Sequence, residues 1–122
     1  MFEFNPLLNS EYLQEIYGDD LSIVQIMFES FLEDSLSTWE EILVEIQSKN
    51  FDRVCEMAHQ IKPSFSMVGL TFLHPKVQEF ELYAKANPNY DELLSKYNNL
   101  SVDIEKAKLV VEEDLQRVNE LI

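Results

Sequence analysis

In the stretch Ala58-His59-Gln60-Ile61-Lys62-Pro63-Ser64-Phe65-Ser66-Met67-Val68-Gly69-Leu70, a nucleophilic nitrogen and a fixed positive charge stand three residues apart. Ala58, Ile61, Phe65 and Val68 recur at spacings of three and four, which places them on one buried face of a helix. His59 lies about 100° round that helix from Ala58, at the edge of the apolar face or beyond it. Lys62, at i+3 from His59, is near enough for its ammonium to reach whatever the imidazole carries. An imidazole titrates at about 6.5, so near neutral pH it keeps a fraction with a free lone pair. Such a nitrogen can attack the phosphorus of an acyl phosphate and form a phosphoramidate. A cation beside it steadies the charge that develops on the phosphoryl oxygens. The job that suits this pair is holding a phosphoryl group.

The elements that must position the pair are helical. Two glycines and four prolines leave little turn chemistry, and no alternating strand pattern emerges. After an extended lead-in from Met1 to Leu8, Asn9 or Ser10 caps a short helix from Glu11 to Tyr17, closed by Gly18. Asp19 or Asp20 caps a long amphipathic helix from Leu21 to about Ser48, with Val24, Phe28, Phe31, Trp39, Ile42 and Ile46 inward. Trp39 on that stripe reads as core, and the Glu clusters opposite as a solvated face. The His-bearing helix spans Phe51 to Val68 and ends at Gly69, which either caps it or admits a close neighbour. Thr71 to about Ala86 forms the next helix, started near His74 and Pro75, with Leu73, Val77, Phe80 and Ala84 buried. Asn87-Pro88-Asn89 is the clearest turn. Beyond it Leu93, Tyr97, Leu100, Ile104, Ala107, Val111, Leu115, Val118 and Ile122 make one long helix with a weak point at Asn98-Asn99. The fold class expected is all-α: an antiparallel up-down-up-down four-helix bundle with a short extra N-terminal helix, one domain over residues 1–122.

Composition bounds the partners. With 46% hydrophobic residues the chain has enough apolar side chains for a core. No basic leader, apolar leader core or apolar run near 18 residues is present, so neither export nor a membrane span is expected. The lone Cys55 forms no internal disulfide and fits a reducing cytoplasm. A net charge of −14 opposes binding to nucleic acid or to anionic lipid. That charge is uneven: Lys49 to Lys85 carries five basic and four acidic residues, whereas the rest carries four basic and 19 acidic. The segment around His59 is nearly neutral on an acidic molecule, and a negative phosphoryl donor can approach there.

The pattern Ala58-His59-x-x-Lys62, with Gly69 ten residues after the His, resembles the phosphoacceptor signature of histidine-containing phosphotransfer (HPt) domains. The downstream spacing Gly69-Leu70, Leu73, Val77, Phe80-Glu81 follows the family's next helix. The resemblance implies that His59 is the phosphoacceptor and that Lys62 stabilises the phosphoryl charge. It implies response-regulator receiver domains and a hybrid histidine kinase as partners, with the chain a monomeric phosphocarrier and not a free-standing enzyme. No cofactor of its own is implied; the magnesium is expected on the partner receiver domain. The expected docking surface comprises Cys55, Pro63, Ser66, Met67, Gly69 and Leu70. Pro63 departs from the family, which commonly has glycine after the Lys. Its ring should kink the helix and leave the His59 carbonyl to solvent.

Two other functions stay open. A non-phosphorylated helical adaptor would bind a receiver or kinase by shape, unaffected by His59→Gln. A metal-binding bundle would use Cys55 and His59, spaced i and i+4, although two ligands are too few for a structural zinc site. Ser64 and Ser66 lack a base beside them, so hydrolase chemistry has no support.

Overall fold

The computed structural model describes residues 2–122; Met1, the first residue of the expected lead-in, lies outside the described residues. Among the described residues the chain is all-helical, with no strand. Helix α1 spans Ser10–Tyr17 and is capped by Asn9, whose side chain accepts from the Tyr12 amide at 3.0 Å. Asp20 caps α2, Leu21–Ser30, by accepting from the Ile23 amide. Of the paired cap candidates, Asn9 and Asp20 serve, because each places its carboxyl or amide oxygen over the N3 donor.

The long helix expected from Leu21 is a single rod with a defect in its middle. Between α2 and α3, Leu36–Gln47, the residues Phe31–Ser35 wind as a π-helical turn. The Leu36 amide bonds to the Phe31 carbonyl, five residues back, and the Ser37 hydroxyl donates to the Glu33 carbonyl at 2.6 Å. The extra residue lets Phe31, Ser35, Leu36 and Trp39 all turn inward. The apolar pattern hides this, because a step of four from Phe31 to Ser35 fits both windings.

Three further helices complete the bundle: α4, Phe51–Met67, α5, His74–Lys85, and α6, Tyr90–Leu121. Each packs on the next, and α6 returns against α2 and α3, so the four long elements close an up-down-up-down ring. His74 opens α5 with Pro75 in its first turn, and Leu73, Val77, Phe80 and Ala84 are buried as the spacing requires. The weak point expected at Asn98-Asn99 is absent. Both residues are exposed, so they cost the unbroken α6 little, while buried Tyr97 and Leu100 hold its register.

Aromatic side chains join the helices. Phe31 of the π turn meets Phe65 of α4 edge-on at 5.2 Å, and Trp39 stacks on Tyr97 at 4.4 Å and meets Phe80 at 5.3 Å. The Tyr97 hydroxyl donates to the Trp39 carbonyl, and the Trp39 indole N–H donates to Ser101. Burial pushes the Tyr97 hydroxyl up to about 12, against the lowering effect of its Ser101 hydrogen bond. Trp39 is therefore core, with its one polar atom satisfied.

The N-terminal segment is fastened to the bundle at several points. The Asn5 amide donates to Asp114 of α6 at 2.7 Å, and Arg117 closes on the same carboxylate at 2.8 Å while lying 4.7 Å over the Phe2 ring. Leu8 and Leu13 join the common core. On α6 the expected core position Leu115 is only partly buried and Ile122 is exposed, whereas Asp114 is 1% exposed. The helix is rotated so that this carboxylate meets the lead-in. No helix among the described residues is long and apolar enough to cross a membrane.

Candidate functional site

Helix α4 buries Ala58, Ile61 and Phe65 against the bundle, as does Val68 at its C-terminal cap, which turns His59 outward with its side chain 71% exposed. The partner of the imidazole comes from α5. Glu81 Oε2 lies 3.0 Å from His59 Nδ1, and Glu81 Oε1 lies 2.9 Å from Lys62 Nζ. The Lys62 and Glu81 side chains are only 15% and 12% exposed. One carboxylate thus ties the exposed ring to a half-buried ammonium.

Burial opposes ionisation of Glu81, but the hydrogen bonds and charges of Lys62 and His59 together outweigh it and hold its carboxyl below 4.5. An ionised carboxylate only accepts, so the hydrogen between it and His59 sits on Nδ1. In the neutral ring this leaves the lone pair on Nε2. The arrangement fixes the tautomer and ring orientation and makes one nitrogen the nucleophile.

Sequence reasoning placed Lys62 beside the imidazole as a charge ready for its cargo. The structure brings the two together through Glu81, with the ammonium already engaged. The sequence pattern includes Glu81 only as part of the family-like spacing of the next helix and gives it no role at the site, although a signal for one exists. Val77, Phe80, Glu81 and Ala84 stand at i, i+3, i+4 and i+7, so a carboxylate occupies a core position of an otherwise apolar stripe. An acid there needs a partner across the helix interface.

Of the expected docking residues, Pro63 is exposed, Met67 is 37% exposed, and Cys55 and Ser66 are half-buried, all on α4. Gly69 and Leu70 do not belong with them: both are buried. Gly69 takes φ +83°, the Leu70 amide bonds back to the Phe65 carbonyl at 2.8 Å, and the Gly69 amide bonds to Ser66 at 2.9 Å. This glycine turn directs Leu70 into the core. A Cβ on Gly69 would lie 2.8 Å from Leu13 Cδ1 and 3.1 Å from Leu8 Cβ. The glycine therefore does both jobs that its position suggested: it caps the helix and admits a close neighbour. The Asn9 amide donates to its carbonyl at 2.7 Å, and the Tyr17 hydroxyl donates to the Met67 carbonyl at 2.7 Å, so the N-terminal segment covers this end of α4. Helix α4 is not interrupted at Pro63.

Among the described residues no group of three or more His, Cys, Asp or Glu side chains could hold a metal ion. The Cys55 thiol is pushed up by burial first and then by the charge of Glu81, with Lys85 opposing, the direction opposite to that of an activated thiolate. Surface hollows lie elsewhere, one of them between α5 and α6 with Lys76, Phe80, Lys96 and Asp103 on its walls. The site is an open helix face, suited to another macromolecule more than to an enclosed small ligand.

The chain matches the sequence model of the Hpt domain over residues 26–121, and it belongs to that family. Comparisons with curated proteins and with solved structures give no match. Hpt domains serve phosphotransfer in two-component systems as carriers and not as enzymes, and the family implies interaction with receiver domains and kinases.

Proposed function

We propose that this protein is the phosphocarrier of a multistep phosphorelay in the cytoplasm, taking phosphate on His59 from one receiver-domain aspartate and passing it to another. The observation that carries the reading is the exposed imidazole whose Nδ1 is held by Glu81, itself held by Lys62. The Nε2 lone pair attacks the phosphorus of the aspartyl phosphate. The N–P bond forms, the P–O bond to the aspartate breaks, and the carboxylate leaves with the electron pair. The ring keeps its Nδ1 proton and becomes cationic, and Glu81 meets that charge. Lys62, i+3 from His59, exchanges part of its contact with Glu81 for the phosphoryl oxygens. Transfer onward runs the same steps in reverse. The magnesium and acidic pocket belong to the receiver, and a hybrid histidine kinase supplies the phosphate upstream.

Incubation with a labelled receiver domain tests this reading. Label should appear on the wild type, acid-labile and alkali-stable, and be absent from His59→Gln. Binding of a receiver that is equal for both proteins, with no label on either, would establish the adaptor reading instead.

A further inference from the structure

Pro63 is exposed on α4 one turn after His59 and has no amide hydrogen. In a regular helix the amide of residue 63 would bond to the carbonyl of residue 59. That bond cannot form here, although the helix continues to Met67. The adjacent hydroxyl does not replace it, because Ser64 Oγ donates to the Ile61 carbonyl at 2.6 Å. A proline ring presses on the carbonyl four residues back, and solvent-side carbonyls so displaced tilt outward. The residue with the exposed imidazole thus also carries a main-chain acceptor lacking its i+4 donor.

Resting on the phosphocarrier reading, we infer that the His59 carbonyl is a specificity contact for the docking receiver domain. It accepts a hydrogen bond from a donor on the surface around the receiver's phosphorylated carboxylate, a backbone N–H or a side-chain amide or hydroxyl. Carbonyl and nucleophile sit on one residue, so a partner that brings phosphorus to Nε2 must cover the carbonyl. A receiver with a donor there satisfies it. One with an acceptor or an apolar group strands a desolvated carbonyl and is disfavoured. Pro63 in this reading works by what it withholds from the helix.

The test closes the acceptor and then reopens it. Pro63→Ala supplies the missing amide. Pro63→lactic acid, introduced by nonsense suppression, has the same methyl side chain with an ester oxygen in place of the N–H. With a phosphorylated receiver as donor, Pro63→Ala should raise KM about threefold to tenfold, with kcat within about twofold of wild type. The lactic acid variant should return KM to the wild-type value. An unchanged KM in Pro63→Ala, or equal KM in the two variants, overturns the inference. Labelling of the wild type with phosphoramidate reports His59 without any partner. Normal receiver transfer by wild type and Pro63→Ala alike removes the carbonyl's role and leaves the phosphocarrier reading intact. No transfer to the wild type from any receiver overturns both.

Discussion

Two acids sit where an apolar helix stripe should carry a hydrocarbon, and they have opposite surroundings. Asp114 on α6 is 1% exposed, held by the Asn5 amide and by Arg117, and faces the N-terminal segment. Glu81 on α5 is held by Lys62 and by an imidazole that is itself 71% exposed. Both are satisfied, as buried carboxylates must be. The difference lies in what the partner does next. The Arg117 guanidinium and the Asn5 amide are donors only, with no lone pair to offer a reactant, so Asp114 fastens one segment to another. His59 presents its far nitrogen to solvent, so the hydrogen bond that its Nδ1 donates to Glu81 sets the state of a reactive atom. Burial of a carboxylate alone does not mark a site. A partner with a second, open functional end does.

The contrast can be broken most directly at Glu81. Glu81→Gln should lower the rate of phosphate uptake at His59 on the order of 10²-fold, the scale of a positioned charge lost from a proton- or charge-handling site. Rapid-quench transfer assays would read it. The same variant sharpens the thermodynamic side. Because the folded carboxyl is held below 4.5, its stabilisation is full above that value and lost as pH falls through the lower folded value. Denaturation of the wild type from pH 7 to pH 3 should therefore include a loss below about 4.5 that Glu81→Gln lacks. An identical acid limb in both proteins would mean the carboxylate is not held in this way.

Asp114→Ala should do the reverse. It should cost about 1–3 kcal/mol of stability by stranding the Asn5 amide and freeing Arg117, with transfer to His59 unchanged below the melting transition. A transfer defect in the folded variant would erase the distinction between the two acids. The smallest effect is expected at Arg117, whose side chain is 44% exposed. Arg117→Gln should cost about 0.2–1 kcal/mol, measurable as a small shift of the urea midpoint.

The order and faces of the helices were legible because apolar spacing is a direct record of burial. Val24, Phe28, Phe31, Trp39, Ile42 and Ile46 on the first rod, and Leu73 at the head of α5 with Val77, Phe80 and Ala84 on it, all lie where three-and-four spacing puts them. The π turn was not legible, since an added residue there leaves the spacing of apolar side chains helical. His59 and Lys62 stood out as chemical types at a known interval on one helix. Glu81 did not, because its meaning depends on α5 lying against α4, a tertiary fact. Gly69 and Leu70 misled for a related reason. Nearness to His59 along the chain suggested surface, but the glycine turn reverses the chain and drives Leu70 inward.

The family likeness begins at residue 26, yet Leu8 and Leu13 lie in the same core as Phe65 and Val68. A fragment trimmed to residues 26–121 would remove both leucines from above Gly69, the amide that Asp114 accepts from, and the Tyr17 hydroxyl that closes the end of α4. Its His59, Lys62 and Glu81 would all be present in the primary structure, on a scaffold with a wet gap at one end. The stretch that identifies the molecule is shorter than the stretch that keeps it upright, so excision at the border of the likeness would confuse a collapsed support with a dead nucleophile.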